Sequence, residues 1–349
     1  MDPKKVGSAK VEERVTAQDL LQKYRNEGAK SLTAQDLEQV LVLEDLSPIF
    51  EYADRVRYEN FGDYIDIRAI LEFSNCCRRA CRYCGLNREN MSVVRYRMDI
   101  EEIVKVSLSA HEAGYRTIVL QSGEDPFYTV DMLCEIVRRI KAESELFITL
   151  SCGERELHEF DRLAECGADR YLLKHETADR EIYSALHPCG TLDGRVSCLR
   201  RIKQAGLETG SGFMIGLPKQ RPETIAKDLI LLRELECDMA GIGPFIPSPN
   251  TPLSEHPAGS TDLTKRAVAL ARLLLPKANL PATTSLGVLD SKEKDSIFSC
   301  GANVIMRKVT PQKYERHYSI YPNQIKVDDI QKERKDLEDM IRRLGRVPR

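Results

Sequence analysis

A (β/α)8 barrel of the TIM type, in the α/β class, is the fold this sequence predicts, and three observations predict it. From Tyr64 onward, short apolar runs of strand length alternate with amphipathic stretches of helix length. Eight such strand runs can be counted, the number that closes a ring of βα units. Glycines stand just ahead of several strands, at Gly114, Gly167, Gly206 and Gly301, where a helix ends most easily in a left-handed cap. A doubly wound open sheet uses the same repeats, and only the count favours closure.

Residues 1–62 read as an N-terminal helical extension. The phrase Thr-Ala-Gln-Asp-Leu occurs twice, from Thr16 and from Thr33, each time offering a Thr N-cap to an apolar run. A third helix is expected over 48–59, and Gly62-Asp63 closes the region. Residues 63–310 form the barrel, with strands expected at 65–73, 117–121, 146–151, 170–174, 208–216, 239–246, 282–287 and 303–306. Helices such as those beginning near Ile100 and Glu223 lie between them. Residues 311–349 form a C-terminal extension that packs on the barrel: an irregular stretch, then a helix over 328–344 whose charges read as a solvated face.

Composition excludes several classes. The 349 residues are 42% hydrophobic and 30% charged, enough for a large core and unlike a disordered chain. Lys and Arg (52) nearly balance Asp and Glu (54), a net charge of −2, so no nucleic acid is expected as partner. The first residues are polar and lack the apolar stretch of a secretory signal. No run approaches about 18 apolar residues, so no membrane span is expected and the protein is placed in the cytoplasm.

Of the eleven cysteines, Cys134, Cys152, Cys166, Cys189, Cys198, Cys237 and Cys300 are scattered and read as small buried hydrophobes. The other four crowd into residues 76–84. Cys77, Cys81 and Cys84 have the spacing C-x3-C-x2-C, with Cys76 out of register. They follow the first strand directly, on the face where barrel enzymes carry their chemistry. Three thiolates this close can hold three corners of a cubane iron–sulfur cluster and leave the fourth iron open. Zinc is the rival, but it wants four ligands and no second pair is present. A redox pair of Cys81 and Cys84 leaves Cys77 unexplained.

Gly210-Ser-Gly212-Phe-Met-Ile-Gly216 looks like a dinucleotide loop. Its spacing is one residue too long, and it lies within a strand; small residues there are expected to let a ligand approach closely.

With the aromatic Tyr83 ahead of the last cysteine, the spacing resembles the signature of the radical S-adenosylmethionine (SAM) enzymes. The phrases IRAILEFSNCCRRACRYCGL, TIVLQSGEDP, GADRYLLKHETA, GIGPFIPSPNTPL and CGANVIM resemble, in order, the HydE family of FeFe-hydrogenase maturases, from about Ile67 to Tyr321. The resemblance to biotin synthase and methylornithine synthase is more distant. It implies one 4Fe–4S cluster on Cys77, Cys81 and Cys84, whose open iron chelates SAM. It implies a one-electron reductant and cleavage of SAM to a 5′-deoxyadenosyl radical. The implied substrate is a small organometallic or amino-acid-derived molecule, an iron–carbonyl–cyanide–cysteine synthon, on the route to the di-iron subcluster, with other hydrogenase maturases as partners.

By motif position, Tyr83, Ser122, Gly123, Glu124, Glu176 and Arg195 become SAM contacts, and Arg68, Arg170, Met239, Thr283, Thr284 and Tyr318 become lining of the substrate cavity. The residue types agree: a carboxylate at Glu176 can pair with an ammonium or accept from ribose, and the fork of Arg195 suits a carboxylate. Two departures stand out. Residues 325–344 contain no cysteine, so no second cluster is expected. Lys174 stands where the family pattern leads one to expect Arg, a point charge in place of a fork. Two other readings stay open: a HydE-like enzyme acting on an organic amino acid, as a methylornithine synthase-like mutase, and a non-catalytic iron–sulfur carrier.

Overall fold

The computed structural model describes residues 15–289, 295–318 and 329–349. The irregular stretch expected after Met306 lies partly outside the described residues. Three helices come first: α1 (Ala17–Glu27), α2 (Ala34–Leu41) and α3 (Ser47–Phe61). Thr16 and Thr33 each close a capping box, accepting the amide of Asp19 or Asp36, whose carboxylate accepts the Thr amide in return. Pro48 sits in the first turn of α3, where its missing N–H is no loss.

Eight strands follow: β1 (Tyr64–Ser74), β2 (Thr117–Ser122), β3 (Phe147–Ser151), β4 (Arg170–Leu172), β5 (Glu208–Ile215), β6 (Met239–Pro244), β7 (Pro281–Ala282) and β8 (Val304–Lys308). All pair in parallel, in the order β6-β5-β4-β3-β2-β1-β8-β7. Between the two ends, the chain leading into β7 touches β6: Met239 bridges Asn279, and the Ala240 amide donates to the Asn279 carbonyl at 3.0 Å. The eight strands therefore form a nearly closed barrel. Around it run α4 (Ile100–Glu112), α5 (Val130–Glu143), α6 (Glu159–Glu165), α7 (Arg180–Leu186), α8 (Leu192–Gln204), α9 (Pro222–Glu234), α10 (Thr261–Leu274) and α11 (Thr284–Leu289). A short α12 (Gln312–Glu315) and α13 (Ile330–Arg343) follow, and β9 (Val347–Pro348) pairs outside the ring with the start of β1.

The chain forms these elements for local reasons. Asp99, Thr129, Asp179, Thr191 and Ser260 each accept an amide in the first turn of the following helix. Gly114, Gly167, Gly206 and Gly301 all take positive φ, between +83° and +104°, as the cap role requires. β6 is buried along its whole length, as a strand covered on both faces must be. The N-terminal helices seal the outside: α2 packs on α9 and α3 on α10, burying Leu37, Val40, Ile49 and Ala53.

Two expectations give way. The run 282–287 is not a strand throughout: β7 stops at Ala282 and the chain turns into α11. A short apolar run carries no period by which to tell a strand from a helical turn. The small residues of β5 do not make room for a ligand. A Cβ on Gly212 would lie 2.1 Å from the Gly241 carbonyl, and one on Gly210 would meet Leu172 and Met239. They let neighbouring barrel strands and core side chains approach.

Candidate functional site

The loop after β1 is folded back on itself by polar side chains. Asn75 donates to the carbonyls of Val94 and His317 and accepts the Tyr96 amide. Arg95 donates to the carbonyls of Asn75, Leu86 and Asn87. This brace leaves Cys77, Cys81 and Cys84 facing a cavity of about 280 Å³ at the C-terminal ends of the strands. Ser122, Gly123 and Glu124 line it from β2, Lys174 and Glu176 from the end of β4, and Arg195 from α8. Gly123 is required by contact: a Cβ there would lie 2.2 Å from the Cys76 carbonyl and 2.9 Å from the Cys77 side chain.

The three thiols border one cavity. Burial raises the Cys77 thiol; burial, then its two neighbours, raise Cys81; burial pushes Cys84 up to about 12. Burial keeps such thiols protonated, and a cation at their centre would ionise them. Among the described residues no three His, Cys, Asp or Glu side chains converge as a single metal ion requires. A cubane cluster takes its thiolates at separate iron corners instead, so the donor set fits the cluster better than zinc.

A lattice of alternating charges backs the cysteine loop. Glu124 is buried and accepts from Arg78 Nε and Arg79 Nε, each at 2.7 Å, and from the Glu154 amide at 2.9 Å. Arg79 also donates to Glu154 at 2.6 Å and to the Cys189 carbonyl. Arg195 donates through Nε to Glu154 at 2.6 Å and through Nη1 to the Lys174 carbonyl. The Glu124 carboxylate is thus committed to this lattice. Arg79 and Glu154 were not singled out from sequence; the paired arginines inside the cysteine motif were the available signal.

Tyr83 is held by a residue that sequence reasoning also missed. Its hydroxyl lies 3.0 Å from His187 Nε2, while His187 Nδ1 lies 3.1 Å from the Tyr183 carbonyl. A carbonyl only accepts, so Nδ1 carries the hydrogen and Tyr83 donates to Nε2. Burial, then Arg195, holds His187 down to about 3, so the ring stays neutral. Glu176 differs from its neighbours. Its φ is +64°, and its Oε2 is buried with no hydrogen-bond partner among the described residues. An acceptor left bare at a cavity wall is a place for a donor from a ligand.

Of the residues expected to line a substrate chamber, Tyr318 borders this cavity, its hydroxyl accepting from Gln121 Nε2 at 3.1 Å. The structure does not bring the others to it. Arg68 and Met239 meet inside the barrel, Nη1 to Sδ at 3.4 Å, toward the N-terminal ends of the strands. Arg170 opens β4 and pairs with Glu208. Thr283 lies 3.2 Å from Ser285, close over Gly243, and Thr284 is exposed. No described helix is long and apolar enough to cross a membrane.

The chain is similar to several known proteins. Residues 71–232 match the description of the radical SAM superfamily. The chain is 42% identical over 343 residues to the [FeFe] hydrogenase maturase subunit HydE of Thermotoga maritima, covering 96% of each. It is 29% identical over 321 residues to 3-methylornithine synthase of Methanosarcina acetivorans, covering 90% of this chain and 87% of that protein. Among solved structures, methylornithine synthase (PylB) superposes with a TM-score of 0.79 at 26% identity, covering 91% of this chain and 94% of that one.

Proposed function

The chain belongs to the radical SAM superfamily, as an enzyme of the HydE family, and from that premise we propose that it acts in assembly of the di-iron subcluster of FeFe-hydrogenase. The proposed substrate is an iron–carbonyl–cyanide–cysteine synthon. A one-electron reductant and other hydrogenase maturases are the proposed partners, in the cytoplasm. When bound, a single 4Fe–4S cluster with an open iron, together with SAM, supplies a 5′-deoxyadenosyl radical.

The chain's residues bind and orient. Cys77, Cys81 and Cys84 would hold the cluster, each ionised by the iron it meets. The bare oxygen of Glu176 would accept hydrogen bonds from SAM. Arg195, already fixed by Glu154 and the Lys174 carbonyl, would present its remaining nitrogen to the SAM carboxylate. Tyr83 and the turn of Ser122, Gly123 and Glu124 would wall the same space. Tyr318 would border the substrate, with Arg68, Arg170, Met239, Thr283 and Thr284 as the more distant wall. Residues 63–310 would carry the chemistry, with 1–62 and 311–349 as packing extensions.

The observation that carries this reading is the meeting of three cysteine thiols, an unpartnered carboxylate oxygen and a buried guanidinium in one cavity. Likeness to 3-methylornithine synthase supports a second reading, a mutase acting on an organic amino acid. An anaerobic omission assay separates them. The reconstituted protein is mixed with the other maturases, SAM, reductant and apo-hydrogenase, and hydrogen evolution and 5′-deoxyadenosine are measured together. The maturase reading expects hydrogenase activity only when this protein is present. Deoxyadenosine without active hydrogenase would turn the assignment to another substrate.

A further inference from the structure

Glu176 carries its buried, unpartnered oxygen on a strained backbone. The Thr177 amide donates to the His175 carbonyl at 2.8 Å, closing a three-residue γ turn with Glu176 at its centre and φ at +64°. A non-glycine residue stays in such a conformation only where its surroundings over-determine it. On the barrel side, Glu176 is tied to β5: its amide donates to Gly212 at 2.9 Å, and its carbonyl accepts from Met214 at 3.2 Å.

The flanks of the turn are tied from outside the cavity. Ser211 Oγ accepts the His175 amide at 3.2 Å and lies 3.0 Å from His175 Nδ1. A carboxylate faces Nε2, so the ring hydrogen is assigned to Nε2 and the Ser211 hydroxyl hydrogen to Nδ1. Nε2 faces Asp228 Oδ1 at 3.5 Å. The same Asp228 oxygen accepts the amide of Ala178. One carboxylate on α9 therefore touches the chain on both sides of Glu176. His175, Ser211 and Asp228 have no solvent exposure, and none lines the cavity. The set looks like a nucleophilic triad, but no substrate carbonyl could reach Ser211. Two of its atoms, His175 Nε2 and Asp228 Oδ2, make no hydrogen bond among the described residues. Packing alone would favour apolar residues at such a place.

We infer that Asp228, through His175 and with Ser211, is a positioning residue that holds Glu176 in the conformation that accepts SAM. The inference rests on Glu176 being a SAM contact.

The test is a double-mutant cycle on the reconstituted protein, read as SAM affinity from the change SAM makes in the electron paramagnetic resonance spectrum of the reduced cluster. Asp228→Asn keeps the shape and removes the charge. It is expected to weaken SAM binding about tenfold at unchanged cluster content. Glu176→Gln is expected to weaken it as well, and the double variant should bind SAM no worse than Glu176→Gln alone. A merely structural role for Asp228 would make the losses add, and that result would overturn the inference, as would wild-type affinity in Asp228→Asn. Wild-type affinity in Glu176→Gln would remove the SAM contact itself, and the inference with it. Should Asp228→Asn fail to accumulate with its cluster, His175→Gln carries the same cycle with the same expected outcomes.

Discussion

Two buried arginines divide the molecule into a finished region and an unfinished one. Arg272, on α10, donates from Nε to the Gly301 carbonyl at 2.9 Å, from Nη1 to those of Pro276 and Ala278 at 2.9 and 2.7 Å, and from Nη2 to Asn303 at 2.9 Å. Its guanidinium also lies over the Phe61 ring, 5.0 Å from the centroid. Burial, then the neighbouring Arg57, pushes it down to about 9. Arg195 is nearly as buried, yet only Nε and Nη1 find partners among the described residues, and the residue borders the cavity. The first set of donors and acceptors is complete and ties the N-terminal helices, α10 and the turn before β8 together. The second is incomplete, and the cavity that Arg195 borders is also lined by the three cysteines and by Glu176 with its bare oxygen. A buried group that lacks a partner and borders a cavity can be completed by a ligand, as one packed inside a polar core cannot.

The sharpest way to break that contrast is Cys81→Ala. This variant should lose its cluster iron and all 5′-deoxyadenosine production while its circular dichroism remains that of a folded barrel. Retained SAM cleavage would end the cluster assignment. Next in size is Arg272→Ala. It strands several buried acceptors and should lower unfolding free energy by about 3–5 kcal/mol in a denaturant titration. SAM affinity of the folded fraction should not change.

Arg195→Lys should do the reverse. A point charge replaces the fork, and SAM affinity should fall about tenfold, ~1.4 kcal/mol, with little change in the denaturation midpoint.

A pH dependence is expected at His187. Its folded pKa is held down to about 3 by burial, then by Arg195, whereas an unfolded His titrates near 6.5. The unfolded chain therefore takes up the proton first. The contribution is fully present above about pH 6.5 and falls by up to about 1.4 kcal/mol per pH unit below it. His187→Gln should show the shallower decline between about pH 6.5 and 5. Comparing the two proteins cancels Glu72, which burial pushes up to about 7 and which acts with the opposite sign.

Much of this was legible in the sequence where the physics is local. The capping boxes at Thr16 and Thr33 and the glycine caps before the strands are short-range devices, and they fall where expected. The cysteine spacing is equally local. What the sequence did not reveal is joined across long separations. Glu154 meets Arg79 and Arg195 across 75 and 41 residues, and Asp228 reaches Ala178 across 50. Neither carboxylate stands in a motif, and only closure of the barrel brings them to the site. β7 shows the converse failure: the Thr-rich run after Ala282 has strand composition, yet the chain turns there into a short helix.

The central claim is that the incomplete region is completed by a cluster and SAM together. The most direct test is the electron paramagnetic resonance spectrum of the reduced, reconstituted protein, recorded with and without SAM. The account predicts the signal of one 4Fe–4S cluster per chain, altered when SAM is added. An intact cluster whose signal is indifferent to SAM would contradict it.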